Sequence, residues 1–466
     1  MIAGIAAIVL AAVAAAWLAR MRRYRGWLRL SPNRSDVVSL RGSDQAMPLS
    51  LEPDGFDVPH GLDLLGRTVL LQLTVKAAPL GRVMDPFIEI RDADRACRQY
   101  FERGAAGQRY LNLAPLFQCD APKQTVRVGL HGSSIRWESK AALLAFYPPA
   151  IEGAKVLVLA PHPDDAELAA FGLYADSQSW VVTVTAGEKA TKQLPAEIPE
   201  HARSHWAAWL RVWDSLCVPH LGNVPPQRRV SLAYPDGAIE SMYRDPARPV
   251  RLACETSLPR RELRARNLIP QFQHGTADCT WVGLVEELRI LLELAQPDIV
   301  VCPHPLLDSH PDHIFTAIAL ERALRDFRGK PPNLFLYVVH GRGSPVYPLG
   351  PAESLACLPP GRCAGWVADS LYSHPLEPQR RQAKYFAIEA MHAARSYAAD
   401  VDPKSNGKIL KHMLREISAY LSGMELHPAS LLRRAPRPNE MFYVVRGEAL
   451  SELTQRMLDT ATASCP

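Results

Sequence analysis

The sequence predicts an α/β fold: a mainly parallel sheet flanked by helices, preceded by a small all-β sandwich and an N-terminal transmembrane helix. From residue 153 onward, short apolar strands alternate with helical stretches, which is the pattern of parallel sheets with right-handed crossovers. Between residues 61 and 150, short β-rich runs are separated by turn-rich stretches, as in antiparallel sandwiches. Residues 1–19 contain no charged side chain, which is typical of a membrane-spanning helix.

Length and composition fit a globular protein of several domains. The chain has 466 residues, of which 47% are hydrophobic and 22% charged, and the usual domain size of roughly 150 residues allows two or three domains. The nine cysteines are odd in number and include no C-x-x-C pair, so we expect free thiols in a reducing compartment. The formal net charge of +5 equals the contribution of five arginines between residues 20 and 30. The remaining charges balance, and we therefore expect no nucleic-acid partner.

The N-terminal segment predicts a single-pass anchor in the inner (cytoplasmic) membrane. At about 1.5 Å per residue, a helix over residues 1–19 just spans a hydrocarbon core of about 30 Å. A cleaved signal peptide carries its positive charge before the apolar run, whereas here the charge follows it. The positive-inside rule then places residues 20 onward in the cytoplasm. The alternative is an ordinary N-terminal helix packed on the protein.

The predicted organisation follows from these patterns. The β-rich region carries four aromatic residues that either bind glycans from an exposed surface or fill the core: Tyr100, Phe101, Tyr110 and Trp137. Residues 341–375, rich in Pro and Gly, predict a loop inserted near the edge of the sheet. We expect five segments: the anchor (1–19), a basic juxtamembrane segment and linker (20–60), the β-sandwich (61–150), the α/β domain (151–400) and a helical C-terminal extension (401–466).

The polar residues that carry chemistry follow one strand of the predicted sheet. The apolar run 156–160 ends in Pro-His162-Pro-Asp164-Asp165, and a helical stretch follows. Open α/β sheets place their ligands at the carboxyl ends of the strands. We therefore expect His162 and the two adjacent carboxylates at this edge of the sheet.

A second strand delivers a matching set. The apolar run 299–302 precedes Asp308-Ser-His310-Pro-Asp312-His313, and a His-Pro-Asp triplet after each of two strands indicates that the segments meet around a metal ion. Sets of three imidazole and carboxylate ligands with one open position are typical of catalytic zinc. The same ligand types also occur in non-haem iron oxygenases, although those enzymes need no second carboxylate beside the metal.

In a zinc site, the adjacent carboxylates have separate uses. One of Asp164 and Asp165 suffices for the metal, and the other accepts a proton from a metal-bound water of lowered pKa. A histidine at the start of the second helix completes the ligand set. A second histidine, paired with a carboxylate and partly protonated, stabilises the oxyanion of a tetrahedral intermediate. His304 precedes a loop and is expected to be structural.

The two motifs resemble those of the LmbE-like or PIG-L-type N-acetylglucosaminyl deacetylases, over roughly residues 153–400. The stretch 161–168 is similar to the family's first motif and 308–313 to its second, with weaker similarity at 185–187 and 235–237. After Leu168, the small, glycine-rich residues that are usual in this family are replaced by Ala-Ala-Phe-Gly at 169–172. The resemblance implies a Rossmann-like sheet and these roles: zinc ligands His162, Asp165 and His313; general base Asp164; oxyanion and leaving-group assistance by His310, oriented or tuned by Asp312; sugar contacts from Arg203 and Asp236.

The function implied by the resemblance is removal of acetate from an N-acetylated amino sugar. The anchor suggests that this sugar belongs to a glycolipid or an envelope glycan intermediate, such as a lipopolysaccharide core sugar. Two alternatives stay open. One is a metalloenzyme of other chemistry that uses two histidines and one carboxylate. The other is a membrane-tethered glycan-binding protein without activity.

Overall fold

A computed structural model describes the chain in several ranges. The predicted anchor lies outside them apart from three isolated alanines, as does the start of the predicted C-terminal extension. Within the described part, no helix is both long and apolar enough to cross a membrane. The described residues are 11, 14–15, 39–40, 45–93, 95–118, 127–191, 194–195, 197–274, 278–342, 347–359, 366–392 and 434–463.

The described strands form one seven-stranded sheet, two four-stranded sheets and a two-stranded pair. In chain order they are β1 (Ser39–Leu40), β2 (Gln45–Ser50), β3 (Gly55–Asp57), β4 (Thr68–Ala77), β5 (Phe87–Arg91), β6 (Ala96–Tyr100), β7 (Ala106–Asn112), β8 (Arg127–Ser133), β9 (Ile135–Phe146), β10 (Lys155–Ala160), β11 (Gln178–Thr185), β12 (Arg229–Tyr234), β13 (Ile299–Pro303), β14 (Asn333–Tyr337), β15 (Val367–Ala368), β16 (Ser370–Pro375) and β17 (Asn439–Val445).

Along the chain, most of the described α-helices connect successive strands of the large sheet. They are α1 (Ala114–Phe117), α2 (Asp165–Ala175), α3 (Glu200–Cys217), α4 (Ile239–Arg244), α5 (Arg260–Arg264), α6 (Pro270–His274), α7 (Trp281–Ala295), α8 (Pro311–Arg325), α9 (Pro378–Ala390) and α10 (Gly447–Ala463).

The seven-stranded sheet confirms the predicted mainly parallel α/β fold. Its order is β12-β11-β10-β13-β14-β17-β16, and β10 pairs in parallel with β11 on one side and β13 on the other. In the described sheet, β17 alone runs in the direction opposite to the other strands, since it is antiparallel to both β14 and β16. Since parallel strands end at the same edge, the residues that follow β10, β11 and β13 come together there.

Both faces of this sheet are covered, which explains why its strands read as continuous apolar runs. Alternate residues of β10 enter different cores: Leu157 and Leu159 pack in one hydrophobic cluster, Val156 and Val158 in the other. The first cluster also contains buried residues of α7 and α8, and the second contains those of α2 and α9. Helix α7 starts at Thr280, whose side chain accepts a hydrogen bond from the Gly283 N–H.

The strand-rich region forms two antiparallel sheets, β2-β9-β4-β7 and β3-β8-β5-β6. Strands from both contribute to a third hydrophobic cluster. Of the four aromatic residues singled out in this region, Phe101 and Tyr110 are buried, with 3% of each residue exposed. These two therefore fill the core and cannot form a glycan-binding surface.

One part of the predicted secondary structure is wrong. Residues 341–375 were expected to be a loop, but Ser370–Pro375 forms the edge strand β16. It pairs along its whole length with β17, which comes from near the C-terminus. The pairing partner is distant in sequence, so the short run carries no local signal strong enough to distinguish it from its loop-like surroundings.

Candidate metal centre

The first motif is fixed where β10 ends. The Pro161 carbonyl accepts hydrogen bonds from the Thr185 N–H (2.9 Å) and the Thr185 hydroxyl (2.8 Å), which join the end of β10 to that of β11. The next residue, His162, donates its backbone N–H to Asp165 Oδ2 at 2.8 Å. These bonds hold the imidazole and the carboxylate on the same side of the turn.

Asp164 stands between these two residues in a strained conformation. Its φ of 151° and ψ of −23° are values that side-chain-bearing residues rarely adopt. Such strain costs of order 1 to 3 kcal/mol and persists only where the surroundings enforce it, often at functional sites. Asp164 is the residue immediately before α2, and its carbonyl accepts the Leu168 N–H at 2.9 Å, so the strain coincides with the start of the helix.

Three side chains from the two motifs converge on one point. His162 Nδ1 lies 3.2 Å from Asp165 Oδ2, His313 Nε2 lies 3.0 Å from the same oxygen, and the two nitrogens are 3.2 Å apart. Zinc ligands lie about 2.0 to 2.2 Å from the metal, so two ligands of a tetrahedral zinc are about 3.3 to 3.6 Å apart. Buried donors of the right types at nearly this spacing fit zinc.

The outer nitrogens of both imidazoles are held by carboxylates. His313 Nδ1 lies 3.1 Å from Asp308 Oδ2, and His162 Nε2 lies 3.2 Å from Asp312 Oδ2. A carboxylate on one ring nitrogen fixes the tautomer and leaves the other nitrogen free for a metal. The fully buried Asp308 also accepts three backbone N–H groups, those of His310, Val339 and His340.

The position of Asp312 corrects one expected role. Its carboxylate was predicted to orient His310, but it contacts His162 and accepts the N–H groups of Gly237 (2.6 Å) and Ile239 (3.2 Å). The Asp312 N–H donates to His310 Nδ1 at 3.2 Å, and the charge of the Asp312 carboxylate opposes the lowering of the His310 pKa. His310 and Asp312 are two residues apart at the start of α8, and side chains two residues apart on a helix do not face each other.

His310 is therefore a hydrogen-bond donor at one defined atom. With Nδ1 occupied as an acceptor, the proton of the neutral ring sits on Nε2. Its ring centre lies 4.6 Å from that of His162, next to the convergent ligands. Burial lowers the pKa of His310, and the positive charges of His162 and His313 lower it further. The expected partly protonated, carboxylate-paired state is thus not what its surroundings favour.

The carboxylates of the site differ in charge state. Burial raises the pKa of Asp165, but the attraction of His313 and His162 outweighs it and holds that pKa well below the usual range. Burial raises the pKa of Asp164 to about 6, with Arg211 opposing this effect. Adjacent residues are therefore held in different states, one a permanent anion and the other able to take up a proton near neutrality.

Of the two residues expected to touch substrate, Asp236 lies at the site and Arg203 does not. Asp236 Oδ1 is 3.5 Å from His162 Nε2, and its backbone N–H is held by the carboxylate of Glu188. The Arg203 guanidinium instead donates to four backbone carbonyls of the loop that precedes α3: those of Thr191, Leu194, Pro195 and Ile198. It stabilises that loop.

Arg211 occupies the place that we assigned to Arg203. Its Nη2 lies 3.4 Å from Asp164 Oδ1, its side chain is 7% exposed, and its buried Nε has no hydrogen-bond partner. A Cβ on Gly187 would come within 2.2 Å of that Nε, so the glycine makes room for the guanidinium. One sequence pattern indicates this role: Arg211 lies one residue before Val212 on the buried side of α3. A charged residue is rarely buried unless it has a partner or a function.

His340 is a further residue that the sequence reasoning missed. It follows β14, and its ring centre lies 4.9 Å from that of His313 and 5.3 Å from that of His310. Besides His162, Asp165 and His313, the described residues include three further groups whose ligand atoms are close enough for a metal: His162, His310 and His313; Asp165, His313 and His340; and His162, Asp236 and Asp312. A histidine at the end of a parallel strand is the signal that would have found it.

A known protein family matches the part of the chain that contains both motifs. Residues 157–324 match the family model described as GlcNAc-PI de-N-acetylase (PIG-L). This segment contains the three convergent ligands and both aspartates beside them. No curated protein sequence matches the chain.

Several solved structures are similar to part of the chain, at low identity and low TM-score. The A40926 pseudoaglycone deacetylase Dbv21 is 18% identical, with 63% of this chain and 98% of that one covered and a TM-score of 0.32. The zinc-inhibited form of teicoplanin deacetylase Orf2 is 16% identical (62% and 98% covered, TM-score 0.31). The 4-carboxy-2-hydroxymuconate hydratase GalB of Pseudomonas putida KT2440 is 11% identical (63% and 95% covered, TM-score 0.32).

Two observations indicate the type of enzyme: the family match and the donor set of the metal centre. Two imidazoles and one carboxylate, with both imidazoles held by further carboxylates, are a zinc-binding set within the matched segment. Residues 157–324 therefore match the de-N-acetylase (PIG-L) family model, and their donor set fits a zinc-dependent hydrolase of carbon–nitrogen amide bonds.

Proposed function

We propose that the protein removes the acetyl group from an N-acetylated amino sugar by attack of water on the amide carbonyl. The observation that carries this proposal is the convergence of His162, Asp165 and His313 within 3.2 Å of one another beside the strained Asp164. Zinc held by these three residues would polarise the amide carbonyl and lower the pKa of a water. The substrate class follows the family whose model the segment matches.

Asp164 is the general base in this proposal. It takes a proton from the attacking water as the water oxygen bonds to the carbonyl carbon. Its raised pKa near 6 supports this role, because a base works best when its pKa is close to the working pH. The same proton then passes to the amine nitrogen as the carbon–nitrogen bond breaks, which releases acetate and a free amino sugar.

His310 stabilises the oxygen on which negative charge develops. Its Nε2–H is the free donor of the ring, since Nδ1 accepts the Asp312 N–H. A donor fixed in place before the reaction needs no reorganisation in the transition state. Because Asp312 holds the ring through its backbone and His162 through its carboxylate, one residue couples this donor to the metal ligands.

Replacement of Asp164 by Asn should separate proton transfer from metal binding. We expect kcat for an N-acetylated sugar to fall about 10²- to 10⁴-fold, as for loss of a general base, while the zinc dissociation constant changes little. Asp165→Asn is the matched control and should lose zinc affinity. The measurements are steady-state kinetics and zinc competition with a chelator. Normal kcat in Asp164→Asn would remove Asp164 from the mechanism.

Arg211 and Asp236 are the proposed contacts to the sugar. The buried, unpartnered Nε of Arg211 supports its role, because an unsatisfied charged donor gains most from a ligand oxygen. Asp236 supplies an acceptor beside His162 for a sugar hydroxyl. Arg203, whose donors are used by the loop before α3, has no part in this proposal.

Methionine substitutions at the two arginines should give opposite patterns. A hydrogen bond to a charged group is worth about 1.5 to 3 kcal/mol, so Arg211→Met should lower kcat/KM roughly 10- to 100-fold. Arg203→Met should mainly lower the melting temperature, because it frees four loop carbonyls. Kinetics and thermal unfolding of both variants test this. The reverse pattern would restore Arg203 as the substrate contact.

A membrane-linked substrate is the second part of the proposal. The uncharged segment 1–19 and the arginines that follow support an anchor in the inner membrane with the catalytic domain on the cytoplasmic side. An enzyme held there would meet glycolipid or envelope glycan intermediates, such as lipopolysaccharide core sugars. The N-acetylated sugar on such a carrier is the substrate that we propose.

Deletion of residues 1–29 should release the protein from membranes. Activity of the purified variant on a soluble N-acetylated sugar should stay the same, whereas cells that carry it should accumulate the acetylated glycan. Membrane fractionation and mass analysis of envelope glycans are the measurements, with Asp164→Asn cells as the reference for full loss. Unchanged glycans in the deletion strain would contradict the lipid-linked substrate.

We also propose that the two four-stranded sheets form a sandwich domain that braces the hydrolase domain. Both sheets contribute to one hydrophobic cluster. Asn112 at the end of β7 donates to the Ala356 carbonyl (2.9 Å) and the Ser373 hydroxyl (3.2 Å), beside the edge strands of the large sheet.

A fragment of residues 45–146 tests the sandwich domain. Because the two sheets share their own core, we expect the fragment to unfold cooperatively on heating. Circular dichroism is the measurement, with the fragment Asn112→Ala as a control that should fold equally well. A fragment without a thermal transition would show that these sheets depend on the rest of the chain.

A further inference from the structure

Helix α2, which begins with the ligand Asp165, is broken in its middle. Ala170 has φ −142° and ψ 21°, outside the helical range, so the helix consists of a first segment, 165–169, and a second segment, 171–175. A break of this kind disturbs the i to i−4 hydrogen bonds that span it. In a regular helix, one of these bonds joins the Gly172 N–H to the Leu168 carbonyl.

A buried ion pair supplies partners for both ends of that bond. Glu440 accepts the Gly172 N–H at 2.9 Å and the Leu173 N–H at 3.1 Å. Lys384 Nζ donates to the Leu168 carbonyl at 2.9 Å and to Glu440 Oε1 at 2.7 Å. The Lys384–Glu440 pair therefore bridges the two segments, with a carboxylate at the start of the second segment, where the helix dipole favours negative charge.

Stability alone does not explain why charges occupy this place. The side chains of Lys384 and Glu440 are 1% and 2% exposed, and well-packed apolar replacements of a buried ion pair are often neutral or stabilising. What apolar side chains cannot provide is a donor for one segment and an acceptor for the other. The pair fixes the angle between the segments.

The second segment of α2 is held in place by close packing. A Cβ on Gly172 would come within 2.7 Å of the Leu376 side chain, so the segment packs closely against the chain just after β16. In the first segment, Asp165 lies one turn before Leu168. The Leu168 carbonyl accepts the hydrogen bond from Lys384. A change in the bridge therefore tilts the turn that aims the Asp165 carboxylate. Both bridging residues, on α9 and β17, lie outside the matched segment 157–324.

We propose that Lys384 and Glu440 are positioning residues of the metal centre, which hold the first turn of α2 so that Asp165 meets His162 and His313. This proposal rests on the proposed zinc-dependent function but is tested separately from it. In this proposal, both residues act through α2 and not through contact with substrate. Residues that hold metal ligands in place typically contribute about 10- to 100-fold to metal affinity.

The test uses the full chain with Lys384→Met, Glu440→Gln and the double variant. The control is the double variant Arg109→Met with Glu102→Gln, which neutralises another buried ion pair (2.9 Å from Nε to Oε1) in the antiparallel sheets. For each protein, three quantities are measured: the zinc dissociation constant by chelator competition, the melting temperature of the metal-free protein, and kcat and KM for an N-acetylated sugar.

The double variant at 384 and 440 gives the decisive result. It leaves no unpaired buried charge, so its melting temperature should recover above those of the single variants. Its zinc dissociation constant should nevertheless stay raised about 10-fold or more, with kcat reduced more than KM is changed. The control also leaves no unpaired buried charge, and it should keep the zinc dissociation constant at the wild-type value whatever its melting temperature.

Two outcomes would overturn the proposal. One is an unchanged zinc dissociation constant in the double variant, which would make the pair purely structural. The other is a loss of zinc affinity in the control equal to that in the double variant, which would make the effect a general result of destabilisation. If the wild-type protein bound zinc but released no acetate, the proposed substrate would be wrong, while the comparison of zinc affinities would still decide the positioning role.

Discussion

The metal centre depends on one oxygen atom, Oδ2 of Asp165. Three nitrogens lie within 3.2 Å of it: the backbone nitrogen and Nδ1 of His162, and Nε2 of His313. A buried carboxylate is stable only where hydrogen bonds and opposite charge replace its lost hydration. The two imidazoles supply these interactions and therefore lie beside the same oxygen. A metal ion that replaces their protons would meet ligands that are already in position. Asp308 and Asp312 extend the constraint outward by holding the far nitrogens.

Much of this arrangement could be predicted because it is local in sequence. The strands at 155–160 and 299–303 are apolar runs that end in polar motifs, and parallel strands deliver such motifs to one edge of a sheet. Neighbouring strands therefore bring His162, Asp165 and His313 together without any detail of packing. The catalytic parts of Asp164 and His310 remain proposals, but their proximity to the ligands follows from the same geometry.

Other features depend on contacts that no local pattern contains. Arg203 and Arg211 lie on the same helix, and only the course of the loop before α3 decides which guanidinium is consumed by backbone carbonyls. The Asp312 carboxylate contacts His162 and not the His310 ring that it was expected to orient, because side chains two residues apart on a helix do not face each other. Strand β16 and the bridge to Glu440 require a partner from the far end of the chain.

The central claim concerns which atoms hold the metal, and X-ray absorption at the zinc edge tests it most directly. Protein purified without added metal should contain one zinc per chain, coordinated by two imidazole nitrogens and carboxylate or water oxygens at about 2.0 to 2.2 Å. The second imidazole should disappear from the spectrum in His313→Ala and persist in His340→Ala. A sulfur ligand, iron in place of zinc, or a spectrum that changes with His340 and not with His313 would contradict the account.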